Sequence, residues 1–237
     1  MACRFCDLSP KDRAISARFR PARLSQYRDV KPRADDATIV AMEGPDEDGM
    51  EAAYTSATKL TYADLCQMPD DGLRHELVDG VHYVSPSATM RHQRVVVEVL
   101  FRIRAYLDTH RVGDVYVAPL DVVLSDHNVL EPDVLFLTTE QVAAQTRIHV
   151  HGAPALAIEV LSPGSRKMDL ELKRRVYDRF GVQEYWIVDP DREAIHVHRR
   201  DAGVALRHVA DLTRGAADTL TTPLLPGFAC ALDALFR

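Results

Sequence analysis

The chain has 237 residues, 46 % hydrophobic and 27 % charged, with a formal net charge of −6. That composition supports one sizeable core and excludes a wholly disordered, collagen-like or disulfide-scaffold protein. The acidic balance does not advertise a nucleic-acid binder, yet clustered metal-binding carboxylates would lower the total without occupying a binding face.

Residues 1–33 carry nine Lys and Arg against three Asp, and residues 34–58 carry seven Asp and Glu with no base. Neither block shows sustained apolar periodicity, so residues 1–58 read as a mostly disordered, charged N-terminal extension. A solvated tail, or a stretch upstream of a start at Met42 or Met50, accounts for it better than a nucleic-acid-binding or targeting arm. Cys3 and Cys6 make an isolated CxxC, short of the four ligands of structural zinc. With Cys66 and Cys230 added, the lopsided spacing does not suggest a disulfide framework. No run approaches the roughly 20 apolar residues of a membrane span. The expectation is a reduced, cytoplasmic protein with no membrane attachment.

From residue 60 the pattern tightens. Thr61 followed by Asp64 predicts a capped short helix running to about residue 67. Asp79-Gly80, set between residues 73–78 and 81–84, predicts a hairpin. Residues 88–110 read as a long helix with an apolar stripe of Val95, Val96, Val99, Leu100, Ile103 and Leu107. Strands are expected at 114–118, 120–124, 133–137 and 155–161, the last almost continuously apolar, as in a strand buried on both faces. A turn at 162–165 leads into a helix over 167–180, stopped at Gly181. A second hairpin, 184–188 with 194–198, turns at Pro190-Asp191. Weaker strands at 204–209 and 219–222 and a short terminal helix close the chain. This order predicts an α/β (α+β) domain over residues 59–237, with a mixed central sheet flanked by helices.

Three carboxylates interrupt strands where apolar residues belong: Glu76, Asp133 and Glu159. A buried, unpaired carboxylate is costly, so each needs a partner, a proton or a metal. Taken singly, an ion pair with an arginine explains each one; three together, followed by a basic helix, point to hard oxygen ligands for Mg²⁺, with Mn²⁺ as an alternative. Asp133 and Glu159 on neighbouring strands would share the metal, and Glu76 would complete the site. Lys173 has two readings. Four residues after Asp169, it can form a helix-surface pair worth a few tenths of a kcal/mol. It can instead point at the carboxylates and stabilise charge on a phosphate, and on neither reading does Lys173→Ala much affect stability. Arg166, Lys167, Arg174, Arg175 and Arg179 could steer a phosphate backbone. The alternating pairs His149/His151 and His196/His198 read as structural or exposed, since a zinc site needs further convergent ligands.

The motifs Glu-Leu-Val-Asp-Gly (76–80), Glu-Pro-Asp-Val (131–134), Ala-Ile-Glu-Val-Leu-Ser-Pro (157–163) and Asp-Leu-Glu-Leu-Lys-Arg-Arg-Val-Tyr (169–177) follow one another. Gly-Val-Gln-Glu-Tyr-Trp-Ile-Val-Asp-Pro (181–190) and Leu-Leu-Pro-Gly-Phe (224–228) complete the series. Over residues 59–237 this resembles the Uma-type restriction endonuclease family, a branch of the PD-(D/E)XK nucleases. The resemblance implies a restriction-endonuclease-like core and Mg²⁺-dependent hydrolysis of DNA phosphodiesters, with DNA as partner and a homodimer as a compatible assembly. Asp133 and Glu159 then match the acidic metal ligands and Glu76 the upstream glutamate. Leu161 stands where the usual lysine would fall, and Lys173 matches the family's displaced lysine. The alternative is a nuclease fold kept as a catalytically silent binding or regulatory module.

Overall fold

The computed structural model describes residues 59–237 apart from 70, 86, 146–147, 163–165 and 167. The expectations for residues 1–58, including the Cys3/Cys6 pair, lie outside the described residues, as do parts of the 162–165 turn and the residue Lys167.

The described residues open with a single helical turn, α1 (Tyr62–Leu65), whose Thr61 and Asp64 form the expected reciprocal capping box. The first hairpin, β1 (Arg74–Val78) and β2 (Val81–Ser85), turns through Asp79 and Gly80 at φ of 52° and 80°. Two successive positive φ values define the turn whose twist suits a two-residue hairpin, which is why Asp-Gly signals it. The long helix α2 (Met90–Leu107) buries Val95, Val96, Val99, Ile103 and Leu107, as its stripe predicts, and adds His92 to that face.

Short strands follow: β3 (Gly113–Val117), β4 (Val122–Ser125), β5 (Asn128–Leu130) and β6 (Val134–Thr138). After α3 (Thr139–Ala144) and the two-residue β7 (Val150–His151) comes β8 (Leu156–Val160), buried along its whole length. The expected helix after β8 is divided. Met168–Lys173 form a π-helical turn, and α4 (Arg174–Phe180) continues from it to Gly181. Next come β9 (Glu184–Asp189), β10 (Ala194–Asp201) and β11 (Ala205–Thr213), which form an antiparallel meander. The strands β12 (Thr219–Thr221) and β13 (Ala229–Ala231) and the terminal turn α5 (Leu232–Leu235) end the domain.

The central sheet runs β11-β10-β9-β8-β6-β3, with β8 and β9 parallel and every other neighbouring pair antiparallel, so it is mixed as expected. A second sheet, β2-β1-β5-β4-β7, was not legible in the sequence. One face of the central sheet, with Phe136, Ile158, Trp186 and Val197, packs against α2 and the C-terminal segment. The other face presents Ala157, Tyr185 and Ile187 to Val78 and Leu130 of the second sheet and to Val176 and Tyr177 of α4. Glu159 shares a face with Ala157 by strand alternation, so it points into this second layer. No described helix is long and apolar enough to cross a membrane.

Close packing at the sheet edge gives a test of the layering. A Cβ on Gly113 would lie 2.0 Å from the Leu137 carbonyl oxygen and 2.7 Å from Phe136 Cε2. Because the obstacle is backbone, Gly113→Ala should cost at least the roughly 1–3 kcal/mol of an overpacked core. The cost should be read as a lower urea midpoint at unchanged m.

Candidate active site

Three separate stretches of chain supply one buried charge cluster. Strand β1 brings Glu76, β8 brings Glu159, and the π-helical turn brings Asp169 and Lys173. The Lys173 ammonium lies 2.9 Å from Glu76 Oε1, 3.0 Å from Glu159 Oε1 and 3.5 Å from Asp169 Oδ1. All four side chains are at most 2 % exposed. Lys173 is therefore no surface partner of Asp169, and the expectation that its loss leaves stability untouched does not hold: a buried cation shared by three acids is structural as well as chemical. The π-turn contributes to this arrangement, because its wider backbone loop changes which residues share a helix face.

Asp133 stands immediately before β6, next to Glu159 across the β6–β8 ladder, where Val134 pairs with Ile158. One expected ligand thus lies on β8 and the other one residue ahead of its neighbour β6, not within that strand as expected. Three donors converge on the Asp133 carboxylate. Arg74 donates to Oδ1 at 2.8 Å, the Val160 N–H donates to Oδ2 at 2.8 Å, and His92 Nε2 lies 3.1 Å from Oδ2. Glu76 Oε1 also accepts the Glu131 N–H at 2.8 Å, while Glu76 Oε2 is buried with no hydrogen-bond partner. The Tyr177 hydroxyl donates to Glu159 Oε1 at 3.0 Å, and Tyr185 donates to the Asp169 carbonyl at 2.9 Å.

The electrostatics follow from this crowding. Burial pushes the Glu159 carboxyl well above its usual pKa; Lys173 opposes that, while Asp169, Asp133 and Glu76 reinforce it. Burial works against the Lys173 ammonium, but Glu159, Glu76 and Asp169 outweigh it and hold its pKa well above the usual lysine value. Burial also disfavours the Asp133 carboxylate, yet His92, Arg74 and the Val160 N–H overcome it and keep Asp133 ionised below the ordinary range. Glu131, facing Asp121 on the other side, is pushed up to about 8 by burial and by the charges of Asp121 and Glu76. Acids outnumber fixed cations in this pocket, and that imbalance is its defining chemical property.

Sequence reasoning brought Glu76, Asp133, Glu159 and Lys173 to one region and missed Arg74, His92, Asp169 and Tyr177 as members. Signals for them existed. Arg74 and Glu76 alternate on one strand face; His92, Val96, Val99 and Ile103 share one helical stripe; Asp169, Lys173 and Tyr177 recur every four residues. Of the basic residues expected to steer phosphate, Arg166 is bound to Asp189 and Arg179 to Asp79 and Asn128. Arg175 sits exposed beside Glu171.

The sequence profile of the Uma2 family, described as "Putative restriction endonuclease", matches residues 62–233. A crystal structure described as a putative nuclease belonging to DUF820, from Anabaena variabilis ATCC 29413, shares the fold at a TM-score of 0.62 and 18 % identity. The match covers 75 % of this chain and 97 % of that one. No curated protein matches the chain.

Two stability outcomes follow. Lys173→Met leaves three buried carboxylates without their cation and should cost about 3–5 kcal/mol at neutral pH, measured by urea unfolding. Asp133→Asn removes the charge facing Arg74 and should cost about 3 kcal/mol. Because the folded Asp133 pKa is depressed, that contribution is complete above the ordinary value of 3.8. The gap between wild type and Asp133→Asn should therefore narrow as pH falls below that value.

Proposed function

The chain belongs to the Uma2 family, and we propose that it is a metal-dependent endonuclease hydrolysing the phosphodiester bonds of DNA. The nuclease domain of this reading is residues 59–237. The observation that carries it is the buried Lys173 ammonium held between Glu76 and Glu159, one ladder step from Asp133.

The residues present suit a hard divalent cation, Mg²⁺ or Mn²⁺. Four carboxylates (Glu76, Asp133, Glu159 and Asp169) face two permanent cations, Arg74 and Lys173. A divalent ion matches the surplus. Glu76 Oε2 is buried with no protein partner, and the three donors on Asp133 leave part of the roughly four lone-pair positions of a carboxylate open. Asp133 and Glu159 would hold the ion, which when bound polarises a phosphate and lowers the pKa of a coordinated water.

The chain's own groups do the rest. Arg74 and His92 fix the Asp133 carboxylate from opposite oxygens, so its orientation is set before substrate arrives. Glu76 and Tyr177 hold Lys173 and Glu159 in register. Lys173, as a permanent ammonium, orients the attacking water or balances charge building on the phosphate. Arg91 and Arg94 line a groove of about 490 Å³ with Pro190, Glu193, Arg214 and Arg237. Arg91 pairs with Asp191 and Arg214 with Glu193 and Asp233, so a nucleic-acid backbone would have to displace those carboxylates to bind there. In the described region Cys66 and Cys230 are free thiols, as suits the reducing cytoplasm this reading assigns.

One observation favours the alternative of a silent binding module. Glu76, Asp133, Glu159 and Lys173 are all nearly inaccessible, so a phosphate reaches them only if the pocket opens. Nicking of supercoiled plasmid separates the two. The proposal expects cutting that needs Mg²⁺ and stops with chelator, and a loss of about 100-fold or more for Glu159→Gln and Asp133→Asn at matched folded fractions. Wild-type protein that binds DNA but cuts none in Mg²⁺ or Mn²⁺ would establish the silent module instead.

A further inference from the structure

The hairpin of β10 and β11 gathers metal-binding side chains two strands from Glu159, in the row Glu159–Ile187–His196 of the central sheet. Val197 pairs with Ala210 and His196 with Asp211, but the register then shifts, and His198 pairs with His208 instead of Val209. In an unbroken ladder His208 would lie opposite Arg199 and point to the other face. The bulge moves it by one residue, and a one-residue shift swaps faces. His196, His198, His208 and Asp211 therefore share one face, and the displaced Val209 is half exposed.

The resulting geometry is tight. Asp211 Oδ1 lies 2.6 Å from His196 Nδ1 and 2.8 Å from His208 Nε2. All three ligand atoms lie within 4.8 Å of one another. The side chains of His208 and Asp211 are about half exposed, which leaves a solvent path to the cluster. Beside it, the His198 ring stands edge-on to His208 at 5.3 Å, and its buried Nδ1 has no hydrogen-bond partner.

We propose that His196, His208 and Asp211 form a binding site for a divalent transition-metal ion, Zn²⁺ foremost, that ties edge strand β11 to β10. Two imidazole nitrogens and one carboxylate oxygen suit a borderline ion, whereas the all-oxygen acid pocket suits a hard one. Zinc holds such ligands at about 2.0–2.2 Å, so the two hydrogen-bonded separations to Asp211 need to widen by less than about 1 Å. On binding, each imidazole gives up the N–H facing Asp211 and keeps its proton on the other ring nitrogen; a ring that starts doubly protonated releases one proton. A water fills the fourth position. The benefit is local: β11 is the nine-residue outer strand of the central sheet, and a cross-strand ion holds an edge that pairing secures on one side only. The inference is independent of the acid pocket and its chemistry.

The test is zinc titration calorimetry on the full chain carrying Cys3→Ser and Cys6→Ser, in excess Mg²⁺, so that neither the CxxC pair nor the acid pocket competes. The expected result is one zinc per chain, a zinc-dependent rise in Tm, and binding weakened at least ~10-fold by His208→Gln and by Asp211→Asn. Both positions are exposed, and unfolding curves without zinc check that the variants fold like the parent. A parent that binds no zinc at micromolar concentration overturns the site. So does a parent bound no more tightly than either variant.

Discussion

A single buried ammonium organises this molecule. Lys173 reaches Glu76 on one sheet, Glu159 on the other and Asp169 on its own π-helical turn, so strand β1 and the distant segment from β8 to the π-turn meet at one cation. Burying a lone ammonium or carboxylate costs several kcal/mol, and each member of the set offsets part of that cost for the others. The two sheets and the helix after β8 are thus held in one relation by charge as well as by the apolar layer of Ala157, Tyr177, Tyr185 and Ile187. Removing any member leaves the others as buried charges in search of a partner, which makes stability and chemistry inseparable at this point.

What could be read from the sequence were features with a local cause. Asp79-Gly80 specified its own turn, the Thr61/Asp64 box its own cap, and the apolar run of β8 its double burial, with Glu159 standing out as the exception. Other features were hidden because their causes are distant. Strand β5 is three residues long and exists through its pairing with β1 and β4, so no periodicity could reveal it. The second sheet was hidden with it. The π-turn differs from an α-helix by a slip in hydrogen bonding that residue types do not encode. Arg74 and His92 find Asp133 across 59 and 41 residues, and a partner at that separation has no spacing rule. Lys173 shows the limit most plainly: the Asp169–Lys173 spacing is the same for an exposed pair and for a buried one, and only packing decides between them.

The histidines repeat the lesson with the opposite sign. His196 and His198 alternate as ordinary strand residues do, and that pattern alone argues against a metal. The convergent ligands come from the neighbouring strand, and a bulge of one residue brings His208 to them. The fold therefore offers two donor sets of different hardness, an oxygen-rich interior pocket and an imidazole-carboxylate cluster at the sheet edge. Their chemistry predicts different ions for each, and neither set depends on the other.

The central claim is that the acid surplus around Lys173 holds a divalent cation between Asp133 and Glu159. Anomalous diffraction from crystals of the full chain grown with Mn²⁺ measures this most directly. The account predicts a manganese peak within coordination distance of both carboxylates, with Lys173 still bound to Glu76. Crystals that show manganese elsewhere, with the Asp133 and Glu159 oxygens bonded only to protein groups, would contradict it.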